Sequence, residues 1–293
     1  PPSSGGIVLG QILKMISPYL NQTHTPNSEA YVKLLVEAEK RAYADRSYYL
    51  GDPDFVNIPK DKLLDPKYLN KRLTEFALDS IIPSSKISYG DPNFINNESS
   101  ETTHYSIVDH QGNAVSVTTT LNSNYGSKVF VPELGIFLNN EMDDFSIKPG
   151  IPNNYGLIGG EANSIKPQKR MLSSMTPTIV EKNNELFLVV GSPGGSTIIT
   201  SVLQTILNVV HHQMPIQKAV DYPRFHHQWL PDEIRMEKNR FVDSIKISLK
   251  NYGYKLNDNE YEYIGIIDAI QVNKDCTLIG GADHRGDDHA SGF

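Results

Sequence analysis

The sequence predicts an α/β layered protein with mainly antiparallel strands, and three observations carry that reading. Helical periodicity fills the first part of the chain, period-two alternation takes over at Thr103, and later strand patterns are interleaved with further helical runs. No internal repeat or low-complexity segment competes with it.

Residues 6–20 place Ile7, Leu9, Ile12, Leu13 and Ile16 at helical spacing. Ser28 stands where an N-cap belongs, and the Ala-, Glu-, Lys- and Leu-rich run behind it predicts a long helix to about Ala44. Gly51-Asp52-Pro53-Asp54 is a turn, and residues 62–78 form a second, weaker helical region. From 83 to 101 the character changes to Ser, Gly, Asp, Pro and Asn, the composition of an exposed loop or linker where cleavage is tolerated. This is the main boundary in the chain.

Beyond it, residues 103–109 and 114–120 alternate on either side of Gln111-Gly112-Asn113, and their Thr and Val content suits a β-hairpin. A second hairpin spans 176–190 with Asn183-Asn184 at its turn. Gly191-Ser192-Pro193-Gly194-Gly195-Ser196 then leads into a helical run at about 198–211. Between the hairpins, residues 122–170 read as loop. After Pro215 come a short helix, a strand near Ile234, a helix near 242–252 and a strand near 266–272.

Composition excludes several classes of function. The chain carries 27 Lys+Arg against 34 Asp+Glu, a formal charge of −7, with no basic run for a nucleic-acid backbone. Its longest apolar stretches fall far short of the roughly 20 residues a helical membrane span needs. The single cysteine, Cys276, excludes an intramolecular disulfide and a thiolate-rich metal site. The start, Pro1-Pro2-Ser3-Ser4-Gly5-Gly6, reads as the middle of a longer gene product. Residues 284–293 read as a polar surface tail, whose two His and two Asp are weighed as metal ligands and set aside.

Four stretches carry chemistry-bearing residues. At Glu101-Thr102-Thr103-His104, a Thr opening a strand after a polar loop would, once freed as an N-terminus, combine a nucleophilic hydroxyl with its own α-amine base. From those residues alone a strand-starting Thr without special role is the simpler reading. The Gly194-Gly195 pair sits between a strand and a helix, where unpaired amides and the helix dipole favour negative charge. A phosphate cradle, an oxyanion hole and a plain tight turn all fit it, although the P-loop Lys is missing. Asn139-Asn140-Glu141-Met142-Asp143-Asp144-Phe145 suits an ammonium group, a hard cation or an acidic surface loop. Leu172-Ser173-Ser174-Met175 offers two hydroxyls for a carboxylate. The His pairs at 211–212 and 226–227 lack metal-ligand spacing and read as capping and packing residues, with Trp229 in the core.

Taken in order, seven segments resemble the γ-glutamyltranspeptidases, most closely bacterial ones. They are Pro2-Ser3-Ser4-Gly5-Gly6, Ala44-Asp45-Arg46-Ser47 with Gly51-Asp52-Pro53, and Thr102-Thr103-His104-Tyr105-Ser106. Leu138 to Phe145, Leu172 to Met175, Gly191 to Gly195 and Pro223-Arg224-Phe225-His226-His227-Gln228-Trp229 complete the set. The resemblance implies an N-terminal-nucleophile hydrolase αββα sandwich, here lacking the N-terminal part of the large subunit. It also implies autocatalytic cleavage at Glu101-Thr102. Residues 1–101 would be the C-terminal segment of the large subunit, with the linker at about 83–101. Residues 102–293 would be the small, catalytic subunit, the whole forming one structural domain.

By the same resemblance Thr102 is the nucleophile, Thr120 tunes it, and Gly194 and Gly195 supply oxyanion-hole amides. Asn122, Glu141 and Asp144 would bind the donor's α-ammonium, Ser173 and Ser174 its α-carboxylate, and Tyr155 would lie over the site as a lid. The implied partners are glutathione and other γ-glutamyl compounds, acceptor amino acids or peptides, and the two subunits of one precursor. No cofactor, metal or nucleic acid is implied, and export to the periplasm or the medium is. Two departures stand out: the family's carboxylate-binding Arg comes from a region absent here, with no Arg of this chain taking that role by motif, and the absent half also contributes core helices and strand packing. The alternatives are an unprocessed, inactive fragment serving as a scaffold or binding module, and an acylase of the same fold. An acylase cleaving a glutaryl side chain would not need Glu141 and Asp144.

Overall fold

The structure, a computed structural model, describes residues 1–20, 25–73, 81–89, 103–153 and 156–292. Glu101, Thr102, Tyr155 and residues 90–100 of the expected linker therefore lie outside the described residues.

Helix α1 spans Gly5–Ile16 and buries Ile7, Leu9, Ile12 and Ile16, four of the five residues whose spacing predicts it. Helix α2 spans Glu29–Tyr49 and is capped as expected, with the Ser28 hydroxyl accepting from the Tyr31 N–H at 3.4 Å. It continues past Ala44 because nothing in Asp45-Arg46-Ser47-Tyr48-Tyr49 breaks a helix before the turn at Gly51. This helix is polar yet buried, including Lys33, Glu37, Lys40, Arg41, Asp45 and Arg46. Ion pairs offset the desolvation: Glu37 lies 2.9 Å from Lys40 and 2.8 Å from Arg41, and Asp45 lies 3.0 Å from Arg72.

The described part of the weaker helical region is two helices, α3 (Lys60–Leu63) and α4 (Pro66–Leu73), and residues 74–78 lie outside the described residues. The break falls at Asp65, whose carboxylate caps the N–H groups of Lys67 and Tyr68 at 2.8 and 3.0 Å, with Pro66 at the first helical position. Within residues 83–87 of the expected linker, Pro83, Ser85 and Lys86 are exposed, while Ser84 and Ile87 are buried. Ser84 is buried, donates to Asp232 from its N–H (2.9 Å) and hydroxyl (2.7 Å), and accepts from the Trp229 indole at 3.0 Å.

Strands β1 (Thr103–Val108) and β2 (Ala114–Thr119) pair as the first hairpin, Thr103 opposite Thr119 and His104 opposite Thr118. Among its described residues the loop region contributes two short strands, β3 (Phe130–Val131) and β4 (Ile136–Phe137), and two short 3₁₀ turns. The second hairpin is β5 (Thr178–Lys182) and β6 (Glu185–Gly191), with Asn183 and Asn184 both at positive φ (57° and 64°), the geometry that matches strand twist in a two-residue turn. Helices α5 (Thr197–Val210) and α6 (Ile216–Asp221) follow, then β7 (Phe225–His226), β8 (Ile234–Met236), α7 (Asp243–Tyr252) and β9 (Leu256–Asn257). The chain returns through β10 (Asp268–Val272) and β11 (Leu278–Ala282).

The central sheet has the order β11-β10-β6-β5 and is antiparallel throughout. Along β6, Leu188 and Val190 join the main core with Ile198, Val202 and Leu203 of α5. Gly191, on the alternate face, receives the His104 ring, which lies 2.1 Å from where a Cβ would stand. The β1–β2 hairpin thus lies on one face of the sheet and α5 with α6 on the other. Helix α1 packs on α5, and α2 on α1.

Residues 284–293 are not wholly a surface tail. The Arg285 side chain is buried and pairs with Glu237 (2.5 Å) and Asp283 (2.9 Å), closing a charge network that includes Arg224. Asp221, Asp283 and His284 could bring three ligand atoms within 4.8 Å of one another. The arginines already hold Asp283, and His284 Nδ1 lies 2.8 Å from Asp221, so the group reads as an ion-pair network.

Candidate active site

Six of the expected site residues line one cleft: Thr120, Asn122, Asp144, Ser173, Ser174 and Gly195. They come from four separate stretches of chain, and Arg46, Ser196 and Leu157 join them. Gly194 adjoins the cleft through Gly195 but does not line it, Glu141 stands three residues before Asp144 and does not line it either, and Thr102 and Tyr155 fall outside the described residues. A larger cavity of ≈ 440 Å³ beside Tyr48, Tyr49 and Trp229 is lined mostly by aromatic and aliphatic side chains and touches none of the expected residues.

The acid end is built by loops gripping each other. Asn122 takes φ +76°, its N–H donates to the Thr120 hydroxyl at 2.8 Å, and its amide donates to the Asn140 carbonyl at 3.3 Å. Asn140 in turn accepts from the Ser123 N–H and donates to the Ser123 hydroxyl, both at 3.0 Å. A short 3₁₀ turn, Glu141–Asp144, then presents Asp144, whose carbonyl accepts from Asn163 at 2.7 Å. Burial raises the Glu141 carboxyl above its ordinary range.

The glycine turn needs its glycines. Gly194 has φ +130° and Gly195 φ +56°, and a Cβ on Gly194 would stand 2.7 Å from the Thr197 hydroxyl and 3.0 Å from Gly265 Cα. Among the described residues neither Gly194 nor Gly195 has an acceptor for its N–H, so two orphan donors stand at the start of α5. Behind the turn, the Ser196 carbonyl accepts from Tyr43 at 2.6 Å, and the Ser196 hydroxyl donates to Gln228 at 2.8 Å. His226 bridges Gln228 and Thr200, both at 2.8 Å, and burial lowers its pKa well below the ordinary imidazole range. His227 is likewise buried, with a pKa lowered to about 4, so the expectation of packing roles for this His pair holds.

The hydroxyl end is strapped to helices. Ser173 forms a bridge with Ser3, their hydroxyls lying 2.6 Å apart, and the Ser173 carbonyl accepts from both the N–H (2.8 Å) and the hydroxyl (2.7 Å) of Ser4. Arg46 donates from Nε to the Ser4 hydroxyl at 2.8 Å and from Nη2 to the Ser174 hydroxyl at 3.0 Å. Gly5 permits this approach, since a Cβ there would lie 2.1 Å from the Thr176 hydroxyl. Sequence reasoning missed Arg46, Ser3, Ser4 and Ser196 as site residues. The only signal was that Arg46, Ser3 and Ser4 fall inside segments carrying the family resemblance.

Such a cleft brings together the Asp144 carboxylate, the hydroxyls of Thr120, Ser173 and Ser174 and the unpaired amide of Gly195, a set of groups suited to a zwitterion held beside a developing oxyanion. The fold is that of the N-terminal-nucleophile hydrolases. A cephalosporin acylase from Bacillus halodurans superposes with a TM-score of 0.83 over 100% of this chain and 50% of that chain, at 23% identity, which speaks for the fold alone. The gamma-glutamyltranspeptidase family model matches residues 1–293, and this chain belongs to that family.

Among its relatives, the glutathione hydrolase proenzyme of Escherichia coli strain K12 is 47% identical over 294 residues, covering 100% of this chain and 50% of that protein. A mutant form of Helicobacter pylori gamma-glutamyltranspeptidase is 54% identical with a TM-score of 0.60, covering 63% of this chain and 100% of the solved chain. The chain thus spans about half the length of the curated relatives it matches. No helix among the described residues is long and apolar enough to cross a membrane.

Proposed function

We propose that the protein containing this chain cleaves itself between Glu101 and Thr102 and then transfers γ-glutamyl groups from glutathione and related compounds to water or to amino acids and peptides. The observation that carries the reading is the meeting of Thr120, Asn122, Asp144, Ser173, Ser174 and Gly195 in one cleft, at the end of the strand that Thr102 precedes. Residues 102–293 are about two thirds of the chain, close to the share that the complete Helicobacter pylori chain covers. That agreement supports a small subunit beginning near Thr102.

In this reading the freed α-amine of Thr102, whose reference pKa is about 7.7–8.0, takes the hydroxyl proton as Oγ attacks the γ-carbonyl carbon. The carbonyl electron pair moves onto oxygen, facing the amides of Gly194 and Gly195. Collapse expels the amine half of the donor, which leaves with the proton, and a γ-glutamyl ester remains on Thr102. Water or an acceptor amine then attacks the ester by the same steps. Asn122, Glu141 and Asp144 hold the α-ammonium, Ser173 and Ser174 the α-carboxylate, Thr120 tunes the nucleophile, and Tyr155 covers the site. Export to the periplasm or the medium belongs to the proposal and rests on the family resemblance.

Intact mass measurement of the purified protein, with N-terminal sequencing of its fragments, tests this directly. A fragment beginning Thr102-Thr103-His104 is expected, and Thr102→Ala should abolish both cleavage and γ-glutamyl-p-nitroanilide turnover, while Thr102→Ser keeps some of each. Processing retained in the Ala variant would overturn the nucleophile assignment.

A further inference from the structure

The hydroxyl end of the cleft contains a charged side chain to which neither motif nor family resemblance gave a role. Arg46 sits in the last turn of α2, is 3% exposed, and reaches the cleft from behind the two serines. A guanidinium has only donors, so both hydroxyls it touches must use a lone pair to receive it. A hydroxyl has one proton, and that proton must then point elsewhere. For Ser4 the destination is the Ser173 carbonyl at 2.7 Å. For Ser174 the described residues provide no acceptor, although the residue is buried and lines the cleft. The Ser174 proton is therefore directed at whatever occupies the cleft, and a positive charge stands directly behind it.

We infer that Arg46 is a positioning residue for substrate selection, orienting the Ser174 hydroxyl as a donor and adding positive potential behind it. This end of the cleft thereby accepts an α-carboxylate and discriminates against a neutral α-carboxamide. The inference deepens the γ-glutamyl reading of the same cleft and rests on it for the identity of the ligand. A carboxylate only accepts hydrogen bonds, whereas a carboxamide also presents an N–H₂ that needs an acceptor. Serine hydroxyls free to rotate could satisfy either group. With its proton committed outward, Ser174 favours the carboxylate, and the guanidinium strengthens that choice through the charge.

The test uses the full-length protein and two ligands, L-glutamate and its α-amide isoglutamine, with binding measured by calorimetry. Turnover is followed in parallel with γ-glutamyl-p-nitroanilide and its α-amide counterpart. Wild type should prefer the α-carboxylate ligand, and Arg46→Met should cut that preference about tenfold or more, the weight of a charge-assisted hydrogen bond. In turnover the loss should fall on KM, with kcat changed about threefold or less.

Arg46→Lys keeps the charge but not the two-pronged donor, and should restore part of the preference; it also serves if the Met variant does not fold. Because Arg46 works through Ser174, adding Arg46→Met or Arg46→Lys to Ser174→Ala should reduce the preference by no more than about twofold further. An unchanged preference in both Arg46 variants, or losses that simply multiply with Ser174→Ala, would overturn the inference. A wild-type protein that prefers glutamate, with the preference lost in the Arg46 variants, but turns over no γ-glutamyl donor would support the inference and break the functional reading instead.

Discussion

At one end of the cleft Asn122 and Asp144 sit on loops that hold each other, whereas at the other Ser173 and Ser174 are tied to α1 and α2. The acid end depends on side-chain amides, those of Asn122, Asn140 and Asn163, gripping neighbouring loop backbone. The hydroxyl end depends on Ser4 at the start of α1 and Arg46 in the last turn of α2, both reaching out of the main core. A ligand clamped between a loop-built end and a core-built end has one adaptable contact and one fixed reference point. Damage at the acid end should therefore be local and show in KM alone, and damage at the hydroxyl end should lower stability as well.

The largest effect on binding is expected at Asp144. On the proposed reading Asp144→Asn would remove the negative partner of the donor's ammonium and should raise KM about 10- to 100-fold, the range for a lost hydrogen bond to a charged group. Thermal stability should scarcely change, because Asp144 is only half-buried. An unchanged KM would show that the ammonium is held elsewhere. Gly5→Ala probes the opposite end. Its Cβ would stand 2.1 Å from the Thr176 hydroxyl and 2.5 Å from the Met175 carbonyl, so the stretch carrying Ser173 and Ser174 must move. We expect a loss of about 1–3 kcal/mol, read as a lowered Tm, together with a raised KM. A raised KM with unaltered Tm would erase the distinction between the two ends.

Asn140→Ala is the matching lesion among the loops. It removes the pair of bonds to Ser123, both at 3.0 Å, and should raise KM about 3- to 10-fold, in keeping with one or two neutral hydrogen bonds. Tm should stay within a few degrees, since neither partner belongs to the hydrophobic core. Circular-dichroism melts beside initial-rate kinetics would separate this variant from Gly5→Ala.

The same division explains what the sequence disclosed. Helix α5 was legible because Ile198, Ile199, Val202, Leu203 and Ile206 are buried apolar residues behind a glycine turn. Both hairpins were legible from alternation and turn residues, down to the Asn183-Asn184 turn. Helix α2 was read only to Ala44, since its last turn is polar and its burial comes from long-range ion pairs such as Asp45 with Arg72. Arg46 lies in that unread turn. Nothing local indicates that its guanidinium reaches Ser174, 128 positions away in the sequence. The buried part of the C-terminal segment escaped for the same reason, because Arg285 is drawn inward by Glu237 and Asp283. Periodicity reports which faces seek oil, and it is silent about charges that fold inward in pairs.

The smallest effect we expect is a difference in how the two ends respond to acid. A guanidinium stays charged across the working range and hydroxyls do not titrate there, so the hydroxyl end should bind carboxylate with little pH dependence of its own. Glu141 at the acid end behaves otherwise, since burial raises its carboxyl above the ordinary Glu value. As pH falls it takes up a proton earlier than an exposed Glu would, and the ammonium loses one of its negative neighbours. KM for a γ-glutamyl donor should then climb on the acid side, starting at a higher pH than an ordinary carboxylate would give. Glu141→Gln should flatten that limb while raising KM modestly at neutral pH. Loss of the limb in Glu141→Gln and its persistence in Ser173→Ala would tie the titration to the loop-built end. An acid limb unchanged in Glu141→Gln would assign the proton to another group and remove Glu141 from the ammonium site.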